Sequence, residues 1–114
     1  MSIHNVDVFL SEVKNSLIKH FTEYRFEVLI KTPLSLIANI HIGKELFIAV
    51  RYNARNERVD FALIHNKQRT FGYDNLKEWH FHPVENPEDH ISCEKPSVDE
   101  IISKIKEINE KYKI

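Results

Sequence analysis

A chain of 114 residues, 42% of them hydrophobic and 29% charged, is long enough for one hydrophobic core and too short for two ordinary domains. Sixteen Lys and Arg against seventeen Asp and Glu give a formal charge of −1, which excludes the global basic field of a constitutive nucleic-acid binder and confines any such surface to a local patch. The single cysteine, Cys93, excludes an internal disulfide framework, and no window approaches the length of a membrane span, so the expectation is a soluble, cytoplasmic, single domain over residues 1–114 that folds alone or as a small oligomer such as a homodimer.

In chain order, Val6, Phe9, Leu10, Val13, Leu17 and Phe21 recur at three- and four-residue steps, which predicts an amphipathic helix over roughly residues 4–21. From Tyr24 the period falls to two, placing Tyr24, Phe26, Val28 and Ile30 on one face of a strand that Pro33 ends. A second strand is expected over 34–42, a turn at Gly43-Lys44, and then a central strand over 45–52, apolar at nearly every position. The asparagines of Asn53-Ala54-Arg55-Asn56-Glu57 favour a tight antiparallel connection. Val59, Phe61, Leu63 and His65 alternate with Asp60, Ala62, Ile64 and Asn66 along the next strand, and Asn66-Lys67-Gln68 turns into a short strand with Arg69, Phe71 and Tyr73 on one side. Trp79-His80-Phe81-His82 is expected as a last edge strand, and 83–96 as a surface loop with three prolines and four acidic residues. Ser97-Val98-Asp99-Glu100 has the form of a capping box, opening a helix whose stripe is Val98, Ile101, Ile102, Ile105, Ile108 and Tyr112. These elements predict an α+β domain: an antiparallel meander of five to six strands with an N-terminal and a C-terminal helix packed on one face.

Residues capable of chemistry crowd into one place, between Asp74 and His90, where three of the seven histidines lie within eleven residues. His80 and His82 are two apart, so in a strand both imidazoles leave from one face, with Trp79 and Phe81 on the other. Three readings compete. With His90 or Asp74 the pair could ligate zinc or another divalent ion. Alternatively the histidines could move protons in a metal-independent nuclease-like site, with Arg51 or Arg69 stabilising the phosphate. In the third, they form an edge that meets a partner without making bonds. Asp74-Asn75 reads as a turn, or as a carboxylate that orients an imidazole. Trp79 could stack on a nucleobase, or serve as core. Arg51, Tyr52, Arg69 and Tyr73 could form a cationic, aromatic floor, or be solvated strand residues. Cys93 sits in an acidic loop unsuited to a nucleophilic thiol. With only Gly43 and Gly72, the chain has no glycine-rich phosphate loop.

The order of these pieces, a meander ending in Tyr73-Asp74-Asn75, then His80, His82-Pro83 and His90, then Pro96 and a helix rich in Ile and Glu, resembles the TumE family of prokaryotic toxin components of toxin–antitoxin pairs. The resemblance covers roughly residues 45–108 and rests on Asp74-Asn75 with the histidines that follow. Where family members carry Ala-Pro and two adjacent histidines after Asp-Asn, this chain has Leu76-Lys77-Glu78-Trp79. What it implies is a cytoplasmic toxin held by an antitoxin with a helix-turn-helix domain. Cleavage of RNA is then the reaction class to test first, with Asp74, His80, His82 and His90 as catalytic candidates. The expectation from the other class is a non-catalytic module binding a protein or a metal through the histidine-bearing edge.

Overall fold

The computed structural model describes residues 5–112, in the order α1 (Val6–His20), β1 (Arg25–Lys31), β2 (Ser35–Gly43), β3 (Leu46–Asn53), β4 (Arg58–His65), β5 (Gln68–Asp74), β6 (His80–His82), β7 (Ile91–Ser92) and α2 (Val98–Lys111). The strands form one antiparallel sheet in sequence order, β1 to β7, so each pairs with its neighbour in the chain. This is the expected α+β meander with two helices, but with seven strands rather than five or six. The expected first helix begins at residue 4, which lies outside the described residues; from Val6 it follows the expectation to within a residue of its end.

Local chemistry explains the boundaries. Asn5 caps α1, its side-chain oxygen accepting from the N–H groups of Asp7 and Val8, and Ser97 and Glu100 form the reciprocal capping box of α2. The β4–β5 hairpin turns on Asn66 and Lys67, both with positive φ (51° and 67°), the backbone hand that suits the twist of paired strands. The β2–β3 turn uses a positive φ at Glu45.

The two sheet faces differ in what covers them. Leu36, Ala38 and Ile40 of β2 lie opposite Tyr52, Val50 and Ile48 of β3, which continue to Val59, Phe61 and Leu63 of β4 and then to Tyr73 and Phe71 of β5. This row set meets Phe9, Val13 and Leu17 of α1 and Ile101, Ile102 and Ile105 of α2 in one core cluster. Each of these large side chains removed from water contributes about 1.5–3 kcal/mol, which makes this face the principal source of stability. The alternate residues face away from the helices.

Two register shifts correct the expected side-chain directions. A bulge between Val28 and Ile30 leaves Val28 on the helix face and turns Ile30 to the other, opposite Ile37. A second, between Leu63 and Ile64, places Arg69 opposite Ile64, away from Phe71 and Tyr73. The histidine strand is also not the edge: β7, within the expected surface loop, pairs with it through His80↔Ser92 and Phe81↔Ile91. Among the described residues no helix is long and apolar enough to cross a membrane.

A candidate metal centre on the helix-free face of the sheet

The β5–β6 register places Asp74 opposite His80 and Gly72 opposite His82. All four lie on the face turned away from the helices, since Tyr73↔Phe81 occupies the helix side. Asn75 fixes the start of the connection: its Oδ1 accepts from Val59 N–H at 2.9 Å and its Nδ2 donates to the Glu57 carbonyl at 2.8 Å. Asp74 uses its two oxygens differently. Oδ1 accepts from the Leu76 N–H at 3.0 Å, which makes the turn, and Oδ2 faces the imidazoles. The turn and the orienting carboxylate, alternatives in the sequence, are thus both present in one side chain.

His80 Nε2 lies 3.2 Å and His82 Nε2 3.1 Å from Asp74 Oδ2. On the far side of each ring, His80 Nδ1 meets the Glu78 carbonyl at 3.0 Å and His82 Nδ1 meets the Pro87 carbonyl at 3.0 Å. A carbonyl oxygen only accepts, so both Nδ1 atoms carry hydrogen and donate. The side chains of His80, His82 and Asp74 are 8%, 3% and 9% exposed, although they project from the helix-free face. Their cover is the segment 83–90. Two turns, Asn86 N–H to the Pro83 carbonyl and Asp89 N–H to the Asn86 carbonyl, fold it back, and Arg69 Nη2 donates to the Pro87 carbonyl at 3.4 Å. His90, itself exposed, stacks on His80 with ring centroids 4.8 Å apart and planes within 2°, and lies edge-on to His82 at 4.6 Å.

Burial opposes ionisation of Asp74 and is the largest single influence on it. Together the Leu76 N–H, the His82 contact and the attraction of His80 and His82 outweigh burial and hold the carboxyl below its usual range. One strand away, burial and repulsion from Asp74 push the Asp60 carboxyl up, against the pull of Arg58, Arg51 and Arg69. Asp60 and Asp74 are directly opposed in the ladder, a pairing of like charges, and Arg58 stands between them with Nη2 at 3.7 Å and 3.9 Å.

Asp74, His80 and His82 each offer one ligand atom, all within 4.8 Å of one another. His90 joins them through its ring, outside that set. The proposed aromatic floor is divided by the sheet: Arg51 and Arg69 are on the helix-free face, whereas Tyr52, Tyr73 and Trp79 pack toward the helices. Trp79 lines a cleft of 580 Å³ with Phe9, Val59 and Ile101, and no arginine is among its lining residues. Cys93 is half-buried, and burial pushes its thiol up, in keeping with an inert role. Sequence reasoning missed Arg58, which reads as a turn residue; strand alternation running back from Asp60 would have placed it on the same face. Compared with known proteins, the chain matches no family model, no curated protein and no solved structure.

Proposed function

We propose that this protein binds a divalent transition-metal ion, with Asp74, His80 and His82 as its protein ligands. The observation that carries this reading is the commitment of both Nδ1 hydrogens to backbone carbonyls. With Nδ1 so bonded, Nε2 is the ring atom turned to one carboxylate oxygen, His82 Nε2 within hydrogen-bond distance of it, and a deprotonated Nε2 offers a lone pair to a cation there. Three such atoms brought together out of water need a proton or a cation among them. Protonating one ring bonds it to Asp74 and leaves the other Nε2 unmatched, whereas protonating both sets two cations side by side, with ring centroids 5.0 Å apart, in a buried site. One divalent ion supplies the same charge and bonds all three atoms. A carbonyl behind each ligating imidazole is also the usual way a protein fixes tautomer and ring direction at a metal.

Two of the three distances agree. Bonds of about 2.0–2.2 Å to nitrogen and oxygen put neighbouring ligand atoms about 2.8–3.6 Å apart between octahedral and tetrahedral angles. The separations to Asp74 Oδ2 are 3.1 and 3.2 Å, and the three ligand atoms lie within 4.8 Å of one another. Two imidazoles and one carboxylate suit zinc or iron(II) rather than the all-oxygen preference of calcium and magnesium. Isothermal titration of zinc should give one ion per chain, weakened by more than about a hundredfold in His82→Ala and in Asp74→Asn, since both remove a ligand. Equal binding by wild type and both variants, or none by wild type, would defeat the reading.

A second reading makes the chain a toxin component that cleaves RNA through Asp74, His80, His82 and His90, held by a helix-turn-helix antitoxin. Convergence of the imidazoles on one carboxylate supports it, and their cover by residues 83–90 weighs against it. Expression in a bacterial host should then inhibit growth, with relief by His80→Ala and His82→Ala. Unaffected growth with the wild-type chain removes this reading and leaves the metal site standing.

A further inference from the structure

At the end of the sheet where Arg58 approaches Asp74 lies a pocket of 260 Å³ lined by Arg51, Asn53, Asn56, Arg58 and Asp60 together with Ile37. Its polar groups are mostly donors. Asn53 and Asn56 each spend their carbonyl oxygen on a turn, accepting from Arg55 N–H at 2.9 Å and Arg58 N–H at 3.0 Å, which leaves their amide N–H groups to offer. Arg58 Nε is buried without a hydrogen-bond partner, and the approach of its Nη2 to two carboxylates, at 3.7 and 3.9 Å, is too long for a hydrogen bond. Arg51 is exposed, and it pulls on the Asp60 carboxyl from beyond ion-pair distance. Two guanidinium groups and two amides therefore line one small volume, Arg58 sharing its charge with Asp60 and Asp74 while its buried Nε keeps a free N–H.

We propose that this pocket binds the phosphoryl group of a small phosphate monoester, the anion class that a donor-rich, arginine-lined wall recognises. Arginine is the side chain whose fork of N–H groups matches phosphate oxygens in pairs. The volume lies below the ~300–1,000 Å³ of pockets that enclose a whole drug-sized ligand, so it suits a phosphoryl group with little of what is attached. The monoester has three terminal oxygens and nearly two negative charges, where an internal phosphodiester of RNA has two oxygens and one charge. More donors are satisfied by the former. One carboxylate, Asp60, also lines the wall, and it opposes any anion there.

Asp74 joins the two sites: Oδ2 faces the imidazoles and Oδ1 lies 3.9 Å from Arg58 Nη2. Anion binding as such stands on the pocket alone, whereas its role as a substrate subsite for the ion rests on the metal reading above. The chemistry the pair would serve is metal-assisted recognition of a phosphorylated small molecule.

The test titrates the full chain with inorganic phosphate and with a nucleoside 5′-monophosphate, followed by amide chemical shifts. Arg51→Gln, an exposed position where folding is not at risk, should weaken both by about tenfold, the loss of one charge-assisted contact. Asp60→Asn should strengthen both by a few fold, because it removes the carboxylate that lines the wall while leaving Asp74 in place. A merely structural role for these residues predicts neither change in this pattern. His82→Ala should lose zinc while keeping phosphate, which separates failure of this proposal from failure of the metal reading. The proposal is overturned if Arg51→Gln binds phosphate as well as wild type does. It is equally overturned if an RNA lacking a terminal phosphate competes as well as the monophosphate.

Discussion

At the residue scale, the site is defined by which atom of each imidazole is already occupied. Spacing alone reveals that His80 and His82 share a face, because two residues apart in a strand means one side of the sheet. It does not reveal that each Nδ1 is held by a carbonyl, since one of these belongs to Pro87, in a segment without periodicity. Nor does it reveal that Asp74 Oδ2 is the shared target, which follows from a hairpin register set by the turn through Asn75 and by a positive φ of 69° at Lys77. Gly72, opposite His82, has a close approach of its own: a Cβ there would meet the Phe61 carbonyl at 2.9 Å. Gly72 is thus a tight point of the ladder beside the candidate centre.

At the element scale, periodicity carried most of the architecture. The helices, the hairpin at Asn66-Lys67 and the capping box at Ser97 are all legible because each depends on neighbours in sequence. The bulges are not, because an extra residue such as Leu29 changes no local pattern yet moves Ile30 to the other face. Neither is the pairing of β7, a two-residue strand that exists only because β6 lies beside it. The helices are joined by a contact equally remote in sequence. Asp99, in the first turn of α2, accepts from Ser16 Oγ at 2.8 Å and Lys19 Nζ at 3.2 Å, and meets His20 Nε2 at 2.9 Å. The Ser16 bond above all, against a burial effect that opposes it and with Lys19 and His20 in support, holds the Asp99 carboxyl below its ordinary value of 3.8. A carboxyl depressed in the fold contributes stability that is present above the unfolded value and lost as pH falls through the folded one. Asp99→Asn should therefore melt below wild type at neutral pH, followed by circular dichroism, and the gap should close as pH drops below 3.8. A gap that stays constant down the acid range would mean that this ion cluster does not link the helices.

On the scale of the whole molecule, the two faces of the sheet divide the work. The helix face is an apolar core that needs nothing further to explain it. On the other face a single row of opposed positions runs Arg51, Asp60, Asp74, His80, Ser92 across five strands, and every member is polar. A stability-driven fold has no reason to bury the Asp74–His80–His82 part of that row under residues 83–90, since sequestering polar groups costs free energy unless each is matched. A metal ion bonded to all three would give that burial a cause, and would fasten the covering segment through Pro87 and His82. The most direct measurement is anomalous diffraction at the zinc edge from crystals grown with zinc. The account predicts one strong peak within about 2.0–2.2 Å of both Nε2 atoms and an oxygen of Asp74. No peak there, with zinc found only on surface histidines such as His20 or His41, would contradict it.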